Sequence, residues 1–143
     1  MKRFVSLALS LILVCTLLPT VFAASNESTK AANTLHTLGL FNGTGKDASG
    51  NPIYDLDRVP TRNEAVTMLV NLLGKGDEAK KGTWDTPFTD VADWAKPYVG
   101  YAYVNDLTSG TSATTYDGGN TVTASQYLTF VLRALGYKNG IDF

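Results

Sequence analysis

Thr61-Arg62-Asn63-Glu64 is the stretch whose residue types and spacing carry the most chemistry. Thr61 followed by Glu64 is a capping box. The hydroxyl accepts from the third helical N–H, and the carboxylate reaches back to the threonine N–H. Arg62 stands in the first helical turn, where a cation opposes the positive end of the helix dipole at ~0.3–1 kcal/mol. Two readings account for it. A guanidinium beside free helical N–H groups makes an anion site whose fork fits a carboxylate. Alternatively, Arg62 is a solvated side chain paired with Asp55 or Asp57.

The elements that position this stretch follow from periodicity. Ala65, Met68, Leu69, Leu72 and Leu73 recur at the spacing of a buried helical stripe, and Gly74 suits the stop. Upstream, Ala32, Leu35, Leu38 and Gly39 predict a short helix from Ala31, then the turn Leu40-Phe41-Asn42-Gly43-Thr44-Gly45. A Gly/Asn/Asp-rich loop follows, extended at Pro52-Ile53-Tyr54. Downstream, Asp77 to Lys80 allows one helical turn. Asp93 is read as the cap of a helix with Pro97 in its first turn and with Trp94, Tyr98, Tyr101 and Ala102 on one face. Thr123 and Gln126 form a second capping box.

Laid over one another, these segments form an internal repeat. Leu40-Phe41-Asn42-Gly43-Thr44 matches Leu107-Thr108-Ser109-Gly110-Thr111, and Thr61 through Gly74 matches Thr123 through Gly136. Tyr127, Phe130, Val131, Ala134 and Leu135 take the places of the first stripe. Each copy buries only part of its apolar face alone, so the copies are expected to pack on each other or on a third.

The 143 residues allow one ordinary domain or two small repeats sharing a core. Lys2 and Arg3, the apolar run Phe4 to Leu18 and the end Val21-Phe22-Ala23 read as a secretory signal peptide cut after Ala23. The run is short for a membrane anchor. Cys15, the one cysteine, lies inside it, and Val14 departs from the small residue that precedes a lipidated cysteine. The remaining chain therefore has no structural disulfide, thiol catalyst or cysteine-ligated zinc. It carries 10 basic against 13 acidic residues, a formal charge of −3, and no basic stripe that would suit nucleic acid.

Phe88-Thr89-Asp90-Val91 with Trp94-Ala95, then Leu107 with Gly110-Thr111, and Thr61-Arg62-Asn63-Glu64 in the place of Thr-Arg-Ala-Glu carry a resemblance to S-layer homology (SLH) modules. It runs from about Ala31 to Tyr137. The resemblance implies an all-α bundle of helical-hairpin repeats with long loops, here two of the usual three. Residues 1–23 are then the signal peptide and 24–30 a polar lead-in. Residues 31–74 form repeat 1 with a partial start, 75–87 a linker, 88–137 repeat 2 and 138–143 a tail. It also implies grooves that bind a pyruvylated secondary cell-wall polysaccharide, with the motif arginine holding the anion. Carried over by position, the ligand-binding candidates are Arg62, Thr61, Gly43, Thr44, Gly110, Thr111, Asp90 and Trp94. The second copy has Thr123-Ala124-Ser125-Gln126, which keeps the cap and loses the arginine, so its groove is expected to be weak or silent.

Other chemistry is thinner. His36 is the only histidine, and Gly110-Thr111-Ser112-Ala113-Thr114 lacks the second glycine of a nucleophile elbow. Asp55 and Asp57 read as turn formers, without a continuing calcium-loop pattern. Trp84, Trp94, Tyr98, Tyr101 and Tyr103 are candidates for sugar stacking, with Trp94 and Tyr101 also fitting the core face of their helix. No catalytic residue, metal or cofactor is expected. The expectation is thus an exported, non-catalytic module at the cell surface or cell wall whose partner is a wall polysaccharide. An assembly piece that pairs with other SLH repeats or with itself, and a secreted glycan hydrolase, are the alternatives. No transmembrane segment is expected after signal cleavage. The absent third stripe leads to an expectation of dimerisation or marginal stability.

Overall fold

The computed structural model describes residues 26–142, and the leader read at residues 1–23 lies outside them. Five helices and one small hairpin make up the described chain: α1 Asn26–Thr37, β1 Gly45–Lys46, β2 Pro52–Ile53, α2 Arg62–Leu72, α3 Gly76–Lys81, α4 Lys96–Val104 and α5 Ala124–Ala134. The fold is all-α, as expected. The strands pair antiparallel with Gly45 opposite Ile53. Asp47 closes their turn by accepting from the Ser49 and Asn51 amides, each at 2.8 Å.

Both capping boxes are present. Thr61 Oγ1 accepts from the Glu64 amide at 3.3 Å, and the Glu64 carboxylate accepts from the Thr61 amide at 2.7 Å. Thr123 and Gln126 repeat the arrangement at 3.2 and 3.0 Å. Two starts differ from expectation. Helix α1 already includes Asn26 to Lys30, inside the stretch read as a polar lead-in, with Glu27 near its N-terminal end where the dipole favours an acid. Helix α4 is capped at Ala95 with no side-chain cap, because the Asp93 carboxylate instead accepts from Lys96 Nζ at 2.6 Å.

Helix α2 is buried on two faces, which shifts the stripe. Val66 and Val70 enter a core with Ala95, Tyr98, Val99, Ala102 and Tyr116. Ala65 and Leu69 pack with Val122 and Phe130, joined by partly buried Tyr127, Val131 and Ala134. Leu72 and Leu73, expected inside, are 58% and 41% exposed, as is Leu135 at 68%. Tyr101 is core as expected, but Trp94 precedes α4 and stands 54% exposed. Gly100 lets α4 lie against Trp84, since a Cβ there would collide with the tryptophan Cβ.

The two repeats are joined through backbone. The Arg62 amide donates to Asn120 O at 2.8 Å, the Asn63 amide to Gly118 O at 2.9 Å, and the Val122 amide to Pro60 O at 3.0 Å. Thr61 and Thr121 thereby form an antiparallel bridge. Gly118 is required at this seam because a Cβ would collide with the Asn63 side-chain amide. Among the described residues no helix is long and apolar enough to cross a membrane.

Candidate functional site

The seam corrects the first reading of Arg62. The helical N–H groups beside it are not free, because carbonyls of the second repeat's loop occupy them. Its side chain is not solvated either. Arg62 is 5% exposed. Its guanidinium carbon lies 4.7 Å from the Tyr116 ring centre and 4.9 Å from that of Phe130, and Nη2 donates to Ser109 O at 2.7 Å. No carboxylate pairs with it among the described residues. It therefore serves the turn of the other repeat, beside Gly110 and Thr111, and not the Gly43-Thr44 turn of its own.

Two other candidates hold that second turn. Asp90 takes the Tyr116 amide on Oδ1 and the Asp117 amide on Oδ2, both at 2.7 Å. Desolvation pushes the Asp90 pKa up, but these backbone donors outweigh it and hold the carboxyl below its ordinary value. Thr111 Oγ1 donates to Asp117 Oδ2 at 2.7 Å, just as Thr44 Oγ1 donates to Asp55 Oδ2 at 2.7 Å. Both aspartates have positive φ, 47° at Asp55 and 60° at Asp117, so this latch is a feature of the repeat. Thr61 is occupied as a cap.

The remaining candidates, Gly43, Thr44 and Trp94, do come together. They line an open groove of about 500 Å³ between the first turn, the loop before Thr61 and one face of α2. Phe41, Leu56 and Met68 give it apolar walls; Asn42 and Asn71 give it amides and Thr44 a hydroxyl. Thr67 Oγ1 is buried without a hydrogen-bond partner. Gly43 has φ +76°, and a Cβ there would collide with Ile53 O, so the turn closes onto β2 only with glycine.

Arg58 and Glu64 form the charged part of this groove, and sequence reasoning did not single out Arg58. Its Nη1 and Nη2 donate to the two Glu64 oxygens at 2.8 and 2.6 Å, and its Nε lies 3.7 Å from Asp55. These bonds from Arg58, aided by the Thr61 amide, lower the Glu64 pKa from 4.5 to about 2 against an opposing desolvation. Arg58 precedes Thr61 by the spacing at which Asn120 precedes Thr123, so comparing the copies exposes it as a charge added to repeat 1.

This pair gives a pH prediction. Glu64→Gln reproduces the neutral cap of repeat 2 and should cost ~1 kcal/mol near neutrality, limited by the solvent exposure of Arg58. Because the folded pKa is depressed, the contribution is fully present above about 4.5 and is lost as pH falls toward about 2. Chemical melts of both proteins should therefore converge on acidification; a gap that stays constant would show that the charge is not the cause.

No family model matches the chain, and no solved structure matches it. Among curated proteins it is 30% identical over 152 residues to a surface layer protein of Brevibacillus choshinensis, with 99% of this chain and 13% of the relative aligned. It is 30% identical over 154 residues to the middle cell wall protein of Brevibacillus brevis, covering 99% of this chain and 14% of that one. A cell surface protein of Thermoanaerobacter kivui is 28% identical, with 97% of this chain and 19% of the relative aligned. An endoglucanase of a Bacillus species is 38% identical over 80 residues, 51% of this chain and 8% of the enzyme. The chain thus spans less than a fifth of the length of the relatives it matches almost end to end.

Proposed function

For a chain of the S-layer homology kind, homologous over nearly its full length to surface-layer and cell-wall proteins, we propose a non-catalytic anchor that holds a cell-wall polysaccharide in the groove beside Trp94. The chain is an exported protein of the cell surface or cell wall, in keeping with the leader read at residues 1–23. The observation that carries the binding reading is the half-exposed Trp94 lining one groove together with Asn42, Asn71 and Thr44. An indole face covers the C–H face of a sugar ring while neighbouring polar groups meet its hydroxyls. Glycine at 43 and the Thr44–Asp55 latch supply a rigid polar wall.

The finer expectation of a pyruvylated, anionic polymer places a demand on charge. Arg58 is the cation lining the groove, and Glu64 already takes both ends of its fork, with Asp55 nearby. Neutral sugar faces therefore provide the main contact, and a carboxylate on the polymer competes with Glu64 for Arg58. A catalytic role finds little support, since the Glu64 carboxylate is committed to the cap and to Arg58. The assembly reading draws on Leu128, Leu135, Tyr137 and Ile141, each at least half exposed.

Co-sedimentation with isolated cell-wall sacculi tests the proposal. The chain should pellet with intact sacculi and stay in the supernatant after the non-peptidoglycan polymer is stripped. Equal pelleting with stripped sacculi would move the ligand to peptidoglycan itself and overturn this reading.

A further inference from the structure

Asparagine or aspartate precedes glycine at three places, Asn42-Gly43, Asp117-Gly118 and Asn139-Gly140. At such a step the main-chain nitrogen meets least obstruction in reaching the side-chain carbonyl carbon before it, since glycine carries no Cβ. The surroundings separate the three. Asp117 is held at both carboxylate oxygens, by Thr111 Oγ1 at 2.7 Å and Asn120 Nδ2 at 3.5 Å, and Gly118 is buried at the seam. Asn42 is exposed and lines the groove. Neither its carboxamide nor the main-chain amides of Asn42 and Gly43 make a hydrogen bond among the described residues. The chain is pinned on either side, by the Phe41 amide on Leu35 O at 3.3 Å and the Thr44 amide on Ile53 O at 2.7 Å. The unbonded step therefore lies between two fixed ones. In repeat 2 the same position is Ser109, which has no side-chain carbonyl.

We infer that Asn42 is a site of spontaneous deamidation, by which the groove of repeat 1 acquires a carboxylate as the protein ages. The Gly43 nitrogen, its proton taken by base, attacks Cγ of Asn42. A C–N bond forms there, and the side-chain nitrogen leaves as ammonia, giving a cyclic imide. Water then opens the imide. Cleavage between Cγ and the Gly43 nitrogen gives aspartate; cleavage between the Asn42 main-chain carbonyl carbon and that nitrogen gives isoaspartate, whose chain runs through the side-chain carbon. No oxidant or enzyme enters. Either product alters the groove. Aspartate adds negative charge where Asp55 and Glu64 already line it beside the cation Arg58. Isoaspartate lengthens the main chain by one methylene at a turn where even a Cβ on Gly43 would collide with Ile53 O, so the Thr44 amide loses its place on that carbonyl. A weaker hold on an anionic wall polymer follows from both products and rests on the anchoring reading; the chemistry at Asn42 does not.

Peptide mapping of the folded chain, aged in mildly alkaline buffer and fragmented so that isoaspartate is told from aspartate, tests the inference. Asn42 should convert at a rate that rises in proportion to hydroxide, in company with the exposed Asn139, which does not line the groove. Asn63 and Asn71, buried in α2, should keep their amides. Asn42→Gln, whose attack needs a larger ring, should stay unreacted. An Asn42 that keeps its amide, whether or not Asn139 converts, overturns the inference, and so does conversion at 42 that needs denaturant. For the groove, Asn42→Asp should bind the solubilised wall polymer about tenfold more weakly than fresh wild type, the factor carried by ~1.4 kcal/mol. Equal binding by the two would overturn the consequence drawn for the groove. Fresh wild type that binds no polymer would sink the anchoring reading instead, while the peptide map still decides the chemistry at Asn42.

Discussion

Arg62→Ala should destabilise the fold by about 3 kcal/mol, lowering the melting temperature on the order of 10 °C for a chain of this size. The truncation removes a charge-assisted hydrogen bond to Ser109 O, worth ~1.5–3 kcal/mol, and cation–π contact with Tyr116 and Phe130, worth ~0.5–2 kcal/mol. It also leaves a cavity between the two rings. Against this stands relief of the dipole conflict, ~0.3–1 kcal/mol, which is too small to set the sign. Reasoning from the first turn alone gives the opposite expectation, little change or a gain in stability. Arg62→Met should recover more than half of the loss, because it refills the space without a buried charge. Thermal melts of the three proteins decide the matter: an alanine variant as stable as wild type would mean that the guanidinium is not the seam's fastener.

Asp90→Ala should cost about 2 kcal/mol, the desolvation penalty of two backbone donors left without an acceptor. Its effect should be local before it is global. Tyr116 and Asp117 are pinned by this carboxylate, and the following Gly118 and Asn120 carbonyls seat on the Asn63 and Arg62 amides. Freed at one end, residues 116–122 should exchange their amide hydrogens faster, while the amides of α4 keep their protection. Uniform acceleration across the whole chain would show instead that Asp90 supports global stability only. Asn at 90 should retain part of the effect, since one amide oxygen can still accept from one of the two donors.

Both predictions turn on contacts that differ in how far apart their partners lie in the chain, and legibility in the sequence follows the same division. Each capping box closes within one helical turn, so Thr61 with Glu64 and Thr123 with Gln126 announce themselves by spacing. The Asp-rich loop and the Pro52-Ile53 extension are local in the same way. The partner of Arg62 is not local: Ser109 lies 47 residues on, and only the seating of the second loop on α2 brings it there. Helix α2 misled the stripe for a related reason. A single apolar face predicts Leu72 and Leu73 inside, whereas packing against both α4 and α5 selects Val66 and Val70 on one side and Ala65 and Leu69 on the other. Trp94 looked like core because it was placed on a helix that in fact begins after it. One signal stood in plain view. Tyr54-Asp55 and Tyr116-Asp117 precede Thr61 and Thr123 at the same spacing, and aligning those pairs marks both latches.

The claim that the Trp94 groove holds wall polysaccharide is tested most directly by calorimetric titration of the solubilised polymer into folded wild-type and Trp94→Ala chains. Trp94 is more than half exposed, so its loss should leave the melting temperature unchanged. The account predicts that wild type binds and that Trp94→Ala binds about tenfold or more weakly, ~1.4 kcal/mol for the lost ring contact. Equal affinity in the two proteins, or no binding by wild type, would contradict it.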